Sequence, residues 1–179
     1  YKMETIKGIQ FSYLIENNLL QNEHIDRLLY QIEHIHKFKT IKNSKNFYQN
    51  YNKKFNLRVK LINPSLIKKN LKHINYIKIQ IHDYVKNDRG KISIIHGDPV
   101  FSNIHLREEN KIIFLDPRGG QLNNFSLYGD LFYDYAKIYQ SLYGYEFIIS
   151  RKMPINKLKQ LREYFETKFL DKFGKDRIH

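Results

Sequence analysis

The chain has 179 residues, and its content of 41% hydrophobic and 15% aromatic residues predicts one folded domain with a substantial core. It has no cysteine, which excludes disulfides and thiolate metal sites, and no apolar run approaches the roughly 20 residues that span a membrane. The formal net charge of +13 makes the chain strongly basic, and we expect a cytoplasmic protein that attracts anionic molecules.

Amphipathic helices are predicted on both sides of the chain's centre. Apolar residues recur at helical spacing from Glu23 to Phe38, where Asn22 is the candidate N-cap. The same spacing runs from Leu71 to Val85, and Asn70 is placed to cap that helix. Two further helices are predicted, over Gly129 to Tyr143 and over Ile155 to Phe173.

Two short apolar runs between these helices predict β-structure. Lys91 to Ile95 and Lys111 to Leu115 are each rich in isoleucine, and the polar residues Arg107 to Asn110 form a candidate turn between them. We therefore expect these two runs to pair as a small β-hairpin. The predicted fold class is α+β and mostly helical.

Polar residues with the chemistry of phosphoryl transfer follow each of these strands. The run His96-Gly97-Asp98-Pro99-Val100-Phe101-Ser102-Asn103 follows the first strand, and Asp116 follows the second. Asp98 can accept the proton of an attacking hydroxyl, while the amide oxygen of Asn103 and the carboxylate of Asp116 suit Mg²⁺. Taken singly, the pairs Asp98-Pro99 and Asp116-Pro117 have the alternative interpretation of ordinary turns.

The spacing H-x-D-x-x-x-x-N followed by I-x-F-L-D resembles the catalytic segment of the aminoglycoside phosphotransferase and choline kinase-like superfamily, which has a protein-kinase-like fold. The resemblance implies the C-terminal lobe of that fold, with ATP or GTP and Mg²⁺ as cofactors. It implies transfer of phosphate to a hydroxyl of a small molecule, such as a sugar or an amino alcohol. His96 would then hold the loop through hydrogen bonds.

Residues 1–8 resemble the hinge between the two lobes of this superfamily, and residues 9–179 would form the C-terminal lobe. By position, Met3 would lie near the nucleotide base, and the backbone of Glu4 and Ile6 would contact it. A plain edge strand is the alternative. The Gly-rich loop and the paired Lys and Glu of an N-terminal lobe are absent before the motif.

The N-terminal sequence leads us to expect an excised segment of a longer protein, because the chain begins at Tyr1 without an initiator Met or a leader. Half of the family's phosphate clamp would be missing, so isolated activity would be weak or absent unless another segment supplies it. A catalytically incomplete binding or scaffold module is therefore the alternative to a small-molecule kinase.

Asp130 and Asp134 lie four residues apart, on one face of the third predicted helix. The resemblance implies that both support the catalytic loop by accepting backbone hydrogen bonds. In the alternative, Asp130 is a first-turn residue favoured by the helix dipole and Asp134 is solvated.

Arg118 lies in a D-P-R-G sequence directly after the predicted metal ligand. Among proteins of the superfamily, this form is associated with capsule and surface-polysaccharide genes. The guanidinium would contact a phosphate or an acidic substrate, and an exposed loop arginine beside turn-forming glycines is the alternative.

The positive charge is concentrated in residues 37–91, which hold fifteen Lys and Arg against two Asp, a net of +13. The resemblance places helices for substrate recognition here, so we predict a basic wall that attracts an anionic substrate. Nucleic acid is a less favoured partner, suggested by aromatic residues among the lysines: Phe47, Tyr48, Tyr51 and Phe55. Attraction to a membrane surface stays open for a lipid-linked substrate.

Overall fold

Helices dominate the chain and small antiparallel sheets lie between them, which confirms the predicted α+β class. A computed structural model describes residues 7–38, 49–118, 120–121, 124–152 and 156–174. The strands are β1 (Ile9–Gln10), β2 (Ile92–Ile94), β3 (Ile104–Leu106), β4 (Ile112–Phe114), β5 (Gly120–Gln121), β6 (Asn124–Phe125) and β7 (Tyr128–Asp130). The helices are α1 (Phe11–Glu16), α2 (Asn22–His36), α3 (Gln49–Lys60), α4 (Pro64–Lys69), α5 (Leu71–Lys86), α6 (Leu131–Leu142), α7 (Tyr145–Ser150) and α8 (Lys157–Phe173).

The strands pair differently from the predicted hairpin. β3 lies between β1 and β4, and the turn at 107–110 joins β3 to β4. β2 instead pairs with β7, so that Ile92 lies opposite Asp130. The predicted pairing of 91–95 with 111–115 is therefore wrong, because a strand of three residues contains too little pattern to specify its partner.

Helix boundaries differ from the predicted ones by two residues or fewer, and the differences come from the caps. Asn22 is the first residue of α2 rather than its N-cap; Gln21 precedes it and donates its N–H to His24 Nδ1 at 2.9 Å. α6 begins at Leu131 instead of 129, because 128–130 form β7 and Asp130 caps the helix. Asn70 precedes α5, but its side chain donates to Leu66 O instead of capping.

The hydrophobic core includes the middle of the predicted catalytic loop. Phe101 is fully buried between the motif positions 98 and 103, and its ring lies 5.6 Å from that of Phe11, measured between centroids. Residues from α1, α2, α6 and α8 complete the core, among them Ile25, Leu28, Ile138, Leu142, Leu161 and Phe165. The loop is thus anchored in the core, while Asp98 and Asn103 are half-buried and Ser102 is exposed.

Helices α3, α4 and α5 form a helical arm, residues 49–91, that contributes no residue to this core. α3 and α5 pack as an antiparallel pair, with the Tyr51 and Tyr84 rings 6.0 Å apart at its base. Across residues 51–91, all of which the structure describes, no residue is buried. No helix in the described ranges has the length and apolar character that a bilayer crossing requires.

The predicted hinge residues Met3, Glu4 and Ile6 lie outside the described residues. Of the aromatic residues that suggested nucleic-acid binding, Phe47 and Tyr48 also lie outside them. The first described strand, β1, begins at Ile9 and pairs with β3 immediately after the motif loop.

Candidate active site

The predicted catalytic loop, residues 96–103, is held in place by one buried carboxylate on α6. Asp134 is completely buried, and it accepts the N–H groups of His96 at 2.9 Å and of Gly97 at 2.8 Å. Nε2 of His36, from the end of α2, lies 3.0 Å from the same side chain. Asp134 is therefore not solvated, and its two oxygens hold the backbone of the loop where the motif begins.

The segment after β4 lies directly against this loop. The Arg118 N–H donates to His96 O at 2.8 Å, and the Leu115 N–H donates to Asn103 O at 2.8 Å. At Gly97, where φ is +83°, a Cβ atom would lie 3.0 Å from Arg118 Cβ and 3.3 Å from Arg118 O. Glycine is thus required both for its backbone conformation and for the close approach of the two segments.

Asp98 lies where these two segments and α6 meet. Its carboxylate is 15% exposed, with Oδ2 3.0 Å from Arg118 Nη2 and Oδ1 3.0 Å from Lys137 Nζ. Two cations therefore pair with the Asp98 carboxylate and fix its direction. A carboxylate so held can accept a hydroxyl proton or orient the hydroxyl.

Asn103 and Asp116 present oxygen atoms on either side of the contact between these segments. The amide of Asn103 donates to Asp98 O at 3.0 Å, which leaves its Oδ1 without a described donor. Asp116 is exposed, has a φ of +54°, and makes no hydrogen bond or ion pair with any described residue. The Asn103 Oδ1 and the Asp116 carboxylate are therefore available to a cation.

His96 lies inside the loop instead of facing its open side. Its side chain is buried, Nδ1 accepts the Asp98 N–H at 3.3 Å, and the ring lies 5.4 Å from that of Phe114. Burial, the largest effect on this group, lowers the pKa of His96 below its ordinary 6.5. A neutral imidazole that accepts a backbone hydrogen bond supports the position of Asp98.

Asp130 supports the helical arm and the strand before the loop, whereas the loop itself is held by Asp134. Its Oδ2 accepts the hydroxyls of Tyr51 at 2.9 Å and Tyr84 at 2.6 Å. Its Oδ1 accepts the N–H groups of Lys91 at 3.0 Å and Phe132 at 3.2 Å. Asp130 therefore lies at the N-terminus of α6, as its N-cap and not within the first turn. It also connects this helix to both arm helices.

Sequence reasoning missed Lys137 and Glu146, which contact the loop at Asp98 and at Phe101. Lys137 is buried beside Asp98, and Glu146 Oε1 accepts the Phe101 N–H at 2.9 Å and the Ser141 hydroxyl at 2.7 Å. Burial raises the pKa of Glu146. A signal was present in the sequence, because Asp130, Asp134, Lys137 and Ser141 repeat at helical spacing on an otherwise apolar helix.

Lys54 is a further cation near the loop, contributed by the arm. Its Nζ donates to the Tyr133 hydroxyl at 2.6 Å, and burial, followed by the nearby Arg118 and Arg58, lowers its pKa. The Tyr133 ring also lies 5.9 Å from Lys137 Nζ. Lys54 and Lys137 therefore both contact Tyr133, close to Asp98.

An aromatic cavity of about 430 Å³ opens between the arm and helices α6 and α8. Tyr51 and Tyr84 line the arm side, while Tyr133, Tyr139 and Phe169 line the opposite side. Tyr139 donates to Glu166, the acidic residue of the cavity wall. Tyr133 belongs to the cavity wall and also contacts Lys54 and Lys137.

No group of three or more His, Cys, Asp and Glu residues in the described ranges is arranged to hold a metal ion. The predicted magnesium site has only two protein ligands, Asn103 and Asp116. Mg²⁺ is often held by one or two carboxylates together with water and phosphate oxygens, so two protein ligands fit that ion.

Comparisons with family models, with curated proteins and with solved structures find no match to this chain. The family resemblance therefore stays a prediction from the motif. Function has to be inferred from the residues that converge around the loop.

Proposed function

We propose that this chain contains the catalytic residues of a kinase-like phosphotransferase, which transfers phosphate from ATP or GTP to a hydroxyl of a small molecule. The observation that carries this proposal is the close attachment of two segments. One contains Asp98 and Asn103, the other contains Asp116, and backbone hydrogen bonds of 2.8 Å join them. Asp98, Asn103 and Asp116 together supply the oxygen atoms that magnesium-assisted phosphoryl transfer requires.

Each residue of this set has a separate role. Asp98 orients the acceptor hydroxyl and accepts its proton, while Arg118 and Lys137 hold the carboxylate in place. Asn103 Oδ1 and Asp116 would hold Mg²⁺, which neutralises phosphate charge. The loop is positioned by three residues that do not touch the substrates: His96, Asp134 and Glu146.

The aromatic cavity supports the expected class of acceptor. Tyrosine and phenylalanine faces stack on sugar rings and attract ammonium groups, so the lining suits a sugar or an amino alcohol. Two cations near Asp98, Lys54 and Arg118, attract phosphate and an anionic substituent of the acceptor. Association with surface-polysaccharide synthesis remains a proposal that follows from the D-P-R-G resemblance alone.

The proposal is tested by measuring binding and turnover separately, on the chain alone and with any flanking sequence that its gene encodes. Titration calorimetry should detect ATP binding that requires Mg²⁺. Asp98→Asn should reduce turnover about 10²- to 10⁴-fold and leave ATP binding intact. Unchanged turnover would remove Asp98 from the mechanism.

The metal role of Asp116 has a matched control in the arm. Asp116→Ala should abolish the Mg²⁺ requirement together with most ATP affinity. Asp88 is also exposed and also has a positive φ, +48° against +54°, but it lies in the turn after α5, where its N–H donates to Val85 O and not to the loop. Asp88→Ala should therefore leave nucleotide binding unchanged, and equal losses in both variants would contradict the assignment.

A phosphate-binding module without turnover is the second candidate. The observation that favours it is the double ion pair of Asp98, whose carboxylate already has two cationic partners. Such a module would bind Mg²⁺ and nucleotide but would release no phosphorylated product with any acceptor hydroxyl. Equal nucleotide affinity in the original chain and Asp98→Asn, with no turnover in either, would establish it.

A further inference from the structure

The end of the helical arm exposes apolar side chains that no part of the described structure covers. We define the arm tip as residues 57–72, which include the end of α3, the following turn and α4. Leu61 is 86% exposed and Leu66 is 52% exposed, and neither α4 nor α5 buries any residue. Leu57, Ile62 and Leu71 are also exposed. Five exposed apolar residues in one short segment mark an interaction surface.

Basic residues surround these apolar residues, and acidic residues are absent. The arm tip contains five cations, Arg58, Lys60, Lys68, Lys69 and Lys72. No Asp or Glu occurs from residue 58 to residue 82. The surface that covers the tip must therefore be negatively charged and must also accept leucine and isoleucine side chains. A second copy of the chain does not satisfy the first condition, because its own tip would repel this one.

The orientation of the arm aromatics favours a lipid surface over nucleic acid. Tyr51 and Tyr84 donate their hydroxyls to Asp130, so these two aromatic residues are tied to the base of the arm and do not belong to its tip. At the tip itself the exposed apolar residues are all aliphatic, which suits insertion between lipid headgroups. Tyr76, exposed on α5, is also a residue type that favours membrane interfaces.

The position of the tip is compatible with contact at a membrane while the candidate site stays accessible. Thirteen helical steps separate Leu71 from Tyr84, which gives a length of about 20 Å at 1.5 Å per residue. The base of the arm is tied to Asp130, at the start of the helix that also carries Lys137. The arm thus extends the tip away from the catalytic loop.

We propose that the arm tip binds an anionic lipid bilayer, with Leu61 and Leu66 inserted at the headgroup level and the surrounding lysines paired with lipid phosphates and carboxylates. Each basic residue near such a surface contributes to attraction, and the leucines add apolar burial. This proposal does not depend on phosphotransfer, because it concerns a surface outside the candidate site.

Vesicle flotation tests the proposal without nucleotide or acceptor. The chain should float with vesicles of phosphatidylcholine mixed with phosphatidylserine, and should not float with phosphatidylcholine alone. Raising the salt concentration should weaken binding, because screening shortens the reach of the lysine charges. Absence of binding to phosphatidylserine vesicles at low salt would overturn the proposal.

Substitutions separate the two contributions. The double variant Leu61→Asp and Leu66→Asp should weaken vesicle binding at least about tenfold, as should replacement of Lys60, Lys68 and Lys69 by Gln. Ile148→Asp is the matched control, because Ile148 is 74% exposed but lies outside the arm. The tip residues are exposed, so circular dichroism should show unchanged helix content in every variant.

Two other outcomes identify a different occupant and reject the lipid proposal. Affinity for a single-stranded oligonucleotide that exceeds affinity for vesicles, and that the uncharged substitution Leu61→Ser leaves unchanged, would identify a nucleic-acid surface. A dimer that Leu61→Asp converts to monomer in sedimentation velocity, without vesicle binding, would identify an interface between copies of the chain.

Discussion

Charged residues are buried around the predicted catalytic loop but mostly exposed in the helical arm. Around the loop, the charged groups Asp134, Lys137 and Glu146 are buried and each has a specific partner. In the arm, the basic residues other than Lys54 are exposed, and across residues 51–91 no side chain is buried. Buried polar contacts fix atomic positions, whereas exposed charge mainly attracts a partner.

This difference predicts that single substitutions will have large effects on stability around the loop and small ones in the arm. A buried carboxylate with several donors cannot be removed without leaving those donors unpaired. An exposed lysine or leucine loses little when it is replaced. The predictions below test this contrast in order of decreasing effect.

The largest effect is expected for Asp134→Ala. The substitution leaves the N–H groups of His96 and Gly97 without their acceptor in a buried site. We expect a loss of about 3–5 kcal/mol in the free energy of unfolding, measured by urea denaturation. The comparison variant Asp83→Ala, on the arm, should cost less than about 1 kcal/mol; a similar loss in both would erase the contrast.

A smaller loss is expected for Gly97→Ala, about 2–3 kcal/mol in the free energy of unfolding. The new methyl group meets Arg118 and also opposes the positive φ. Gly174→Ala provides the control, since Gly174 has a φ of +85° but no atom within 4 Å of the added Cβ. Equal losses in the two variants would mean that the close approach of Arg118 contributes nothing.

Removal of one tether between arm and core should have a local effect. Tyr84→Phe deletes one hydroxyl donor to Asp130, which keeps its bonds from Tyr51 and from the backbone. We expect the free energy of local opening of the arm to fall by about 1–2 kcal/mol, measured as faster amide hydrogen exchange in α5. Tyr76→Phe, on the exposed side of α5, should leave the exchange rates as they are.

The smallest effect is expected on the way the free energy of unfolding falls at mildly acidic pH. Because burial lowers the pKa of His96, the folded state favours the neutral ring, and this contribution is complete above pH 6.5. It is lost as the pH falls below that value towards the lowered pKa. His96→Asn should therefore reduce the loss of stability between neutral and mildly acidic pH, measured by urea denaturation at several pH values. His24 and His105 are shifted in the same direction, so only part of the slope should disappear.

The long helices could be predicted from the sequence because each carries a sustained apolar period. The strand pairing could not, since β2 has three residues and its partner β7 lies where the sequence favours the start of a helix. Asp130 explains that error: as a cap it ends a strand and begins a helix at the same position. Short helices such as α1 and α7 have only six residues and therefore too little periodicity.

The candidate site could also be predicted only where its residues are close together in the sequence. The spacing of Asp98, Asn103 and Asp116 is local in sequence, so a motif search finds it. Lys137 and Glu146 act on the loop from α6 and α7, and only tertiary packing brings them there. Their presence could have been suspected from polar residues at buried helical positions, but their partners could not have been identified.

The backbone at Asp116 has a consequence for protein engineering. Its φ of +54° is one that glycine adopts without the steric cost of a side chain. Redesign guided by thermal stability would therefore favour Asp116→Gly, at an exposed position where nothing described would be disturbed. That choice would delete the carboxylate proposed to hold Mg²⁺, so the most stable variant of this turn would be an inactive one.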